Sequence, residues 1–399
     1  MSVSVIMLAS DEAKCAGCGA CSAACPVQAI SMEMDIYGHA FPKIHEDMCI
    51  QCGKCVGVCD FVKPFETNQP LKAYAATGKD DDVVKYSASG GVFATLADAA
   101  RIDGVKIAGA VMDITGGQAD VYHLLSDKKE DLQRMQGSKY VQSEAWRCYQ
   151  EVIQRVKAGE RVLFSGTPCQ VAAIKKLTGD PENLITMDLV CHGVPSKKML
   201  NDYLRILAKR FGGNVRQFLF RDKSCEKNYC AKINITGKRK SIWLRSHYLS
   251  FYTYFLGGEI SRESCYACPY ATTKRISDIT IGDYWGIEQF HNVPSDKAWS
   301  CVLVNTEKGN AFLDAYGAGL TLVSTQTEWV ARNNRQLIGP SVKGEKRKEI
   351  LKRYTEGGYL SVEADFVRYL GGTIPFYWKM LKNRYANQKM QVKKCKNEN

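Results

Sequence analysis

The sequence predicts a small α+β domain, then an α/β module with a mostly parallel or mixed sheet, and finally a basic helical C-terminal region. Three observations predict this order. A pattern of four cysteines occurs twice within the first seventy residues. Apolar strand-like runs then alternate with helical runs, which is typical of a parallel sheet. Residues 331–399 carry sixteen Lys and Arg against six Asp and Glu.

These observations divide the 399 residues into four predicted parts. Residues 1–70 form the cysteine-rich domain, and residues 326–399 form the C-terminal extension. The α/β module lies between them, with a first part over 71–155 and a second part over 156–325.

Composition predicts a soluble globular protein that is not built on disulfides. The hydrophobic fraction of 45% and the charged fraction of 24% are ordinary for such proteins. No apolar run is long enough for a transmembrane helix, and the N-terminus lacks the pattern of an export signal. We therefore expect a cytoplasmic chain. In a reducing compartment, 17 cysteines indicate metal ligation or redox chemistry.

The duplicated cysteine pattern predicts two 4Fe–4S clusters. Each copy has the spacing C-x2-C-x2-C-x3-C of bacterial two-cluster ferredoxins, and the second copy follows the first at an offset of 34 residues. Three cysteines of each copy lie in a tight loop of small residues, where backbone amides can approach the sulfurs. We expect the fourth cysteine at the start of a short helix that directs it to the other cluster. The predicted ligands are Cys15, Cys18, Cys21 and Cys59 for cluster one, and Cys49, Cys52, Cys55 and Cys25 for cluster two.

The residues between the two copies predict a β-hairpin. The run AISMEMDIYGHAFPKI reads as two short strands around a turn at 37–39. One position departs from the repeat, because Asp60 stands where the first copy has Pro26. This departure affects the geometry after Cys59 and leaves the ligand set intact. Two zinc sites are the alternative, and eight cysteines in register favour the clusters.

Two loops in the first part of the module carry groups that suit a nucleotide cofactor. The run YSASGGVFATLADAARI places a Ser/Gly turn before a helix over 92–102, and a strand follows over 106–112. Such a turn at a helix N-terminus suits a phosphate, although a serine-capped helix is the simpler explanation. In GSKYVQS, Lys139 and Tyr140 offer a cation and an aromatic ring to a flavin; a solvated loop is the alternative.

The second part of the module predicts two strand–turn–helix units. One has a strand over 162–165 and a helix from Pro168, and the next has a strand over 184–190 and a helix from Ser196. Cys169 and Cys191 follow these strands. The C-terminal ends of parallel strands meet at one edge of a sheet, so both thiols should face that edge.

Four thiols in this module form a predicted third metal site. Cys169 and Cys191 supply two, and a C-x-x-C pair supplies Cys265 and Cys268. Four thiolates suffice for a third 4Fe–4S cluster or a tetrahedral zinc ion. Two cysteines of a polar loop compete for these positions, and three others are predicted not to be ligands. The competitors are Cys225 and Cys230, and the predicted non-ligands are Cys148, Cys301 and Cys395.

The order of these motifs resembles the beta subunit of coenzyme F420-reducing hydrogenase and its relatives. The motifs span 73–323 in a consistent order: SASGG, GSKYVQS, GTPCQ, CHGVPS and a C-x-x-C-P followed by SDITIGDYWG. The resemblance implies bound FAD with a 4Fe–4S cluster close to it. Family members supplied by a deazaflavin pass a hydride to the flavin, which splits it into single electrons. No residue-by-residue match to a deazaflavin pocket is found, and nothing in the chain identifies a nickel–iron partner.

The resemblance also implies particular residues. The cysteines at 169, 191, 265 and 268 would hold the third cluster, and no catalytic residue is assigned. The predicted FAD contacts are Ser87, Ser89, Gly90, Gly91, Lys139 and Tyr140, with Thr167 and Asp283 near the flavin.

Together these features predict an iron–sulfur flavoprotein oxidoreductase. An external ferredoxin would exchange electrons with the N-terminal clusters, and FAD would reduce or oxidise a small substrate, with a deazaflavin as one candidate. The alternative is an electron-relay subunit without its own substrate, whose basic run FYWKMLKNRYANQKMQVKKCK docks on an acidic partner or simply solubilises the chain. A nucleic-acid-binding zinc protein is rejected, because paired clusters are built for electron transfer.

Overall fold

The computed structural model describes most of the chain, and its order of elements agrees with the predicted one. An α+β N-terminal part is followed by a larger α/β part and by a C-terminal helix. The described residues are 13–62, 64–223, 230–295, 297–372, 375, 376 and 380.

Thirteen strands lie within the described residues. They are β1 Ile30–Met34, β2 Ala40–Ile44, β3 Lys72–Gly78, β4 Lys106–Thr115, β5 Gln118–Ser126, β6 Val162–Gly166, β7 Leu184–Leu189, β8 Val215–Leu219, β9 Cys230–Ile235, β10 Ile242–Arg245, β11 Ile279–Asp283, β12 Ser300–Val304 and β13 Leu320–Thr325.

Twelve α-helices have defined bounds within the same residues. They are α1 Ala20–Ala24, α2 Lys54–Gly57, α3 Asp81–Tyr86, α4 Val92–Ile102, α5 Lys129–Met135, α6 Trp146–Lys157, α7 Pro168–Thr178, α8 Lys197–Phe211, α9 Ser250–Leu256, α10 Glu307–Tyr316, α11 Thr327–Arg332 and α12 Arg347–Tyr369.

The N-terminal part is a structural repeat, as the sequence predicts. Strands β1 and β2 pair antiparallel across the 37–39 turn, with Ile30 opposite Ile44. Helices α1 and α2 each follow a glycine in the left-handed region, Gly19 with φ 78° and Gly53 with φ 69°. Only glycine adopts this conformation readily. The offset of 34 residues therefore relates equivalent loop-to-helix turns.

One expectation about this repeat is wrong. The fourth cysteine of each copy does not begin a helix: Cys25 caps the C-terminal end of α1, and Cys59 lies beyond the end of α2. The third cysteines, Cys21 and Cys55, lie inside the helices instead. The reason is that the left-handed glycine starts each helix between the second and third cysteines.

A mixed sheet forms the centre of the module. The strand order is β13-β3-β12-β11-β7-β6-β4-β5. The inner strands β11, β7, β6 and β4 pair parallel, and antiparallel strands flank them on both sides. Strand β4 extends beyond its predicted end at residue 112, because it forms a long hairpin with β5 through a Gly-Gly turn. The prediction of a mostly parallel or mixed sheet is confirmed.

Apolar side chains cover both faces of this sheet. Along β6, Leu163 belongs to the cluster that contains α4, whereas Val162 and Phe164 belong to the cluster that contains α6 and α7. This alternation follows from the two-residue period of a strand. The second cluster also includes Ala20 of α1, so the cysteine-rich part shares a core with the module.

A third apolar cluster supports the C-terminal part of the chain. It joins α8 and the small antiparallel sheet β8–β10 to helix α12, which kinks at Gly358. This helix confirms a helical C-terminal region over part of 326–399. Most of the basic run over 376–396 lies outside the described residues. Within the described part, no helix is both long and apolar enough to cross a bilayer.

A buried ion pair ties the sheet to the loop that follows the C-x-x-C pair. Arg275 Nη2 lies 2.8 Å from Asp188 Oδ2 of β7, and the two side chains are 1% and 0% exposed. Arg275 also donates hydrogen bonds to the carbonyls of Tyr270 and Thr272. We predict that Arg275→Met lowers the free energy of unfolding by about 3–5 kcal/mol, because the buried Asp188 loses its counter-ion.

Chemical denaturation of the cofactor-free protein would measure this loss. Arg155→Met is the matched control, because Arg155 pairs with Glu160 at a surface where the side chains are 45% and 33% exposed. That control should cost less than about 1 kcal/mol. Equal losses for the two variants would contradict the prediction.

Candidate functional site

The four predicted ligands of cluster two surround one small cavity. Cys25, Cys49, Cys52 and Cys55 all line it, together with residues 50–54 of the second cysteine loop and with Ile30 and Ile44 of the hairpin. The backbone N–H of Ala29 donates to Cys25 Sγ at 3.2 Å. Cys52 is exposed at the surface. These thiols and this amide fit a cubane cluster near the surface of the protein.

The four predicted ligands of cluster one also lie within electrostatic range of one another. The pKa of Cys21 is raised to about 12. Burial is the largest cause, the charge of the Cys15 thiolate is the next, and Cys59 also contributes. Burial raises the pKa of Cys18 well above its ordinary value, with Cys21 and Cys15 adding to the rise. Such thiols become ligands only when a metal stabilises their thiolates.

The structure brings the four predicted ligands of the third site together. Cys169 lies in the first turn of α7, Cys191 follows β7, and the C-x-x-C pair lies in a 3₁₀ turn over 263–267 and just after it. Burial is the largest cause that raises the pKa of Cys265 to about 12 and of Cys268 to about 11. After burial, the charge of the Cys169 thiolate is the largest cause that raises the pKa of Cys265 and of Cys268.

The remaining cysteines lie elsewhere or outside the described residues. Cys230, one of the two competitors, is buried at the start of β9 opposite Arg245. Cys148 is buried in α6 and Cys301 in β12. The other competitor and the cysteine of the basic tail, Cys225 and Cys395, fall outside the described residues.

The spacing of the thiols differs from that of a single-ion site. Among the residues that the structure describes, no three His, Cys, Asp or Glu side chains lie close enough to hold one metal ion. A tetrahedral zinc ion holds its sulfurs at about 2.3 Å, whereas a cubane binds each cysteine to a different iron atom. Four thiols can hold either group, and the duplicated spacing of the N-terminal cysteines is that of cluster ligands.

A cavity of about 320 Å³ opens beside the third site. The C-terminal ends of the parallel strands β6, β7 and β11 form one wall, as expected for the ligand site of such a sheet. Cys191 lines the cavity, and Thr167 Oγ1 lies 3.2 Å from Cys169 Sγ. Seven of the eight predicted FAD contacts line it: Ser87, Ser89, Gly91, Lys139, Tyr140, Thr167 and Asp283.

Gly90 is the predicted contact that does not line the cavity. Its N–H donates to Ser300 Oγ at 2.9 Å. A Cβ on Gly90 would lie 2.4 Å from the carbonyl oxygen of Ala76. The missing side chain therefore lets the turn pack directly on the sheet, and this packing presents the neighbouring Ser89 and Gly91 to the cavity.

Half-buried cationic residues stabilise the cavity wall. Arg221 Nη1 donates to Asp283 Oδ2 at 2.6 Å. Lys223 donates to the carbonyls of Val84 and Ser89, which orders the turn before α4. Lys139 donates to the carbonyls of Met135 and Gln136 at 2.7 and 2.8 Å. Burial, and then the charge of Arg134, lower the pKa of Lys139 to about 7.

A buried histidine presents an unpaired nitrogen in the same region. His123 Nε2 lies 3.0 Å from the carbonyl of Ser165, while its Nδ1 has no partner. Burial lowers the pKa of His123 to about 4, so the ring is neutral at physiological pH. Nε2 therefore carries the hydrogen and Nδ1 is a free acceptor beside the cavity.

Several lining residues are not predicted from the sequence. His192 and Trp285 lie inside the motifs CHGVPS and DYWG, so those motifs contain the signal. His123 and Arg221 belong to β5 and to the segment after β8, and no local pattern marks them. The further unpredicted residues are Asn334 and Gln336, which reach the cavity from the segment after α11.

Comparisons with known proteins agree with this architecture. Residues 159–327 match the family profile described as the C terminus of the coenzyme F420 hydrogenase/dehydrogenase beta subunit. Residues 14–61 match the 4Fe-4S dicluster domain. The chain is 24% identical over 335 residues to the F subunit of F(420)H(2) dehydrogenase from Methanosarcina mazei, covering 75% of this chain and 81% of that protein.

Two further matches have lower sequence identities. The beta subunit of coenzyme F420 hydrogenase from Methanococcus voltae is 23% identical over 252 residues, which cover 61% of this chain and 79% of that protein. A chain of the F420-reducing NiFe hydrogenase complex from Methanosarcina barkeri superposes with a TM-score of 0.46 at 17% identity. That superposition covers 73% of this chain and 94% of that one.

The cysteine-rich repeat and these matches define an iron–sulfur electron-transfer protein of the oxidoreductase class. Residues 159–327 carry the C-terminal domain of coenzyme F420 hydrogenase/dehydrogenase beta subunits, and residues 14–61 before it carry a 4Fe–4S dicluster domain. The resemblance stated from the sequence motifs is thereby confirmed.

The third site gives a direct prediction about iron content. If the third site holds a cubane, we predict that Cys268→Ser lowers the iron content from about twelve to about eight atoms per chain, because that cubane would lose a ligand. Iron analysis and EPR spectroscopy of anaerobically purified protein would measure the change. Cys148→Ser is the control, because Cys148 is buried in α6 and donates to the Ala145 carbonyl. Unchanged iron in the Cys268 variant would contradict the assignment.

Proposed function

We propose that this chain is an iron–sulfur flavoprotein. It would bind two clusters in its N-terminal part, a third cluster on Cys169, Cys191, Cys265 and Cys268, and FAD in the adjacent cavity. Electrons would pass between an external redox protein and a small substrate, with a deazaflavin as one candidate.

One observation carries this proposal: the candidate sites form a continuous series. Helices α1 and α2, which carry Cys21 and Cys55, contact each other, so the cluster-two and cluster-one sites adjoin. Cys18 and Cys169 pack against the same apolar cluster, so the cluster-one and third sites adjoin. Cys191 of the third site then lines the cavity. Single electrons need such a series of neighbouring carriers.

The cavity offers groups that suit each end of FAD. The 87–91 turn lies at the N-terminus of the eleven-residue helix α4, where backbone N–H groups and the helix dipole favour a pyrophosphate. Tyr140, Phe255 and Trp285 provide aromatic surface for an isoalloxazine ring. The unpaired Nδ1 of His123 offers a hydrogen-bond acceptor. When bound, the flavin supplies the exchange between one- and two-electron chemistry.

The two ends of the series would have different partners. Cys52 is exposed, and residues 46–48 and 50–54 around it are exposed as well. This end is therefore open to an external electron-transfer protein. At the other end, Lys139 and Arg221 line the cavity and would bring positive charge to an anionic cofactor.

A second candidate function is an electron relay within a larger complex. Two of the matched relatives are named as subunits, one of an F(420)H(2) dehydrogenase and one of a coenzyme F420 hydrogenase. In that case a partner enzyme would act on the substrate, and this chain would supply the clusters and the flavin.

The proposal is tested by anaerobic purification followed by reduction of the bound flavin with three donors in parallel. About twelve irons and one FAD per chain are expected. Reduced ferredoxin, reduced deazaflavin and NADPH would then be compared by the bleaching of flavin absorbance. Reduction by the deazaflavin supports a substrate of that class, and reduction by ferredoxin alone supports the relay. A colourless protein with stoichiometric zinc would refute the proposal.

Lys139 makes flavin binding dependent on pH. Its pKa of about 7 means that the ammonium is charged below pH 7 and neutral above it. We predict that FAD affinity falls by up to about tenfold between about pH 6 and pH 8, as the cation near an anionic cofactor disappears. Lys139→Met should bind FAD weakly with a flat profile over this range.

Fluorescence titration of cofactor-depleted protein would measure both profiles. Lys128→Met is the matched control, because Lys128 is exposed in the loop before α5. This variant should keep the affinity and the pH dependence of the unmodified chain. A flat profile for the unmodified chain would remove Lys139 from the cofactor site.

A further inference from the structure

A fully buried arginine occupies the seam between the cysteine-rich domain and the module. Arg262 is 1% exposed. Its backbone belongs to the third-site loop: its N–H donates to the carbonyl of Val194, and its own carbonyl accepts from the N–H of Cys265. Its side chain extends away from that loop and into the cluster-one loop. One residue thus contacts two candidate cluster sites.

The guanidinium is directed at Cys15. Its Nε donates to the Cys15 carbonyl at 2.7 Å, and Nη2 lies 3.7 Å from Cys15 Sγ. Nη2 also donates to the carbonyl of Ala40 at 2.8 Å, and the Phe41 ring lies 4.1 Å away. A Cβ on Gly17 would lie 2.6 Å from Nη1, so the loop closes tightly around the cation.

The acceptors of this cation carry no negative charge of their own. Within the described part of the chain, Arg262 donates to two carbonyls, to Gln142 Oε1 at 3.3 Å and towards the Cys15 sulfur. Burying a charge is costly unless an opposite charge compensates it. Arg275, the other fully buried arginine near these sites, has Asp188 as its counter-ion. For Arg262, the Cys15 sulfur is the thiol in contact with the guanidinium and the first candidate counter-charge, and the third-site thiols of Cys169 and Cys265 also lie within range of its charge.

The position of the charge has a consequence for electron transfer. A buried cation stabilises the more negative of two redox states, and the low dielectric of the seam strengthens this effect. Reduction adds one negative charge. The guanidinium therefore favours an electron at the Cys15 site over an electron at the site lined by Cys52, which is open to water.

We propose that Arg262 is a positioning residue that raises the reduction potential at the Cys15 site and so directs each electron from the exposed site towards the module. This inference rests on the cluster assignment in the proposed function. The alternative is that Arg262 only clamps the two parts of the chain together. A clamp would affect assembly and stability but would leave the potential of an assembled site unchanged.

Arg262→Gln tests the proposal by EPR-monitored redox titration of the protein with its full iron content. The potential assigned to the Cys15 site should fall by about 59 mV or more, which is about a tenfold shift in a one-electron equilibrium. The signal of the exposed site serves as an internal reference and should not move. Unchanged potentials in a variant with full iron would overturn the proposal.

Two further variants keep the test decisive. Gln142→Leu disturbs the same seam without removing charge, because Gln142 donates to the carbonyls of Ala16 and Gly17. Its potentials should match those of the unmodified chain.

Arg262→Lys retains the charge, so its fall in potential should be less than half that of the glutamine variant. If the glutamine variant fails to assemble, Arg262→Met replaces it as the charge-removing variant, and its potential should fall by about 59 mV relative to Gln142→Leu. A lysine variant with the full 59 mV fall contradicts the proposal. An unmodified protein without clusters would refute the proposed function instead.

Discussion

The packing of the first cysteine loop against helices α6 and α7 is the constraint on which the rest of the structure depends. Ala20 is buried in the same apolar cluster as Tyr149 and Val171, and Cys18 and Cys169 both pack against that cluster. Gly19 is required at this contact, because a Cβ there would lie 2.5 Å from the Cβ of Trp146. The cysteine-rich part is therefore fixed on the module, and the cluster-one site adjoins the third site.

The departure from the repeat at Asp60 serves the same contact. Its Oδ1 accepts from the N–H of Phe65, and its Oδ2 accepts from the hydroxyl of Tyr270. Tyr270 stands two residues after Cys268 and packs edge-on against Phe61 at 6.2 Å. A proline here, as in the first copy, could not make these bonds. Asp60 thus breaks the symmetry of the repeat and attaches the second copy to the module. Arg262 attaches the first copy to the module in a comparable way.

The sequence predicts the local parts of this arrangement well. The cysteine spacing, the hairpin at 30–44 and the strands at β6 and β7 follow from short-range periodicity, and the strand-end rule places Cys169 and Cys191 at one edge.

The contacts at the seam between the cysteine-rich domain and the module are not predicted, because the residues that make them are far apart along the chain. Gln142 meets the carbonyls of Ala16 and Gly17, and Arg262 meets Cys15, from more than a hundred residues away. Gln142 lies inside the motif GSKYVQS, but nothing in that motif indicates this contact, and no motif marks Arg262. The fourth cysteines are predicted at the wrong ends of their helices, because cysteine spacing alone does not reveal that a left-handed glycine sets the helix start.

In the proposed function, the N-terminal clusters and a third cluster would form one continuous electron path to the cavity. Magnetic coupling between reduced clusters, measured by EPR spectroscopy, tests for this path. If the sites adjoin, full reduction should produce dipolar broadening beyond that of the N-terminal pair, and the extra broadening should disappear in Cys268→Ser. A fully reduced spectrum that is the simple sum of a coupled pair and an isolated third cluster would contradict a continuous electron path.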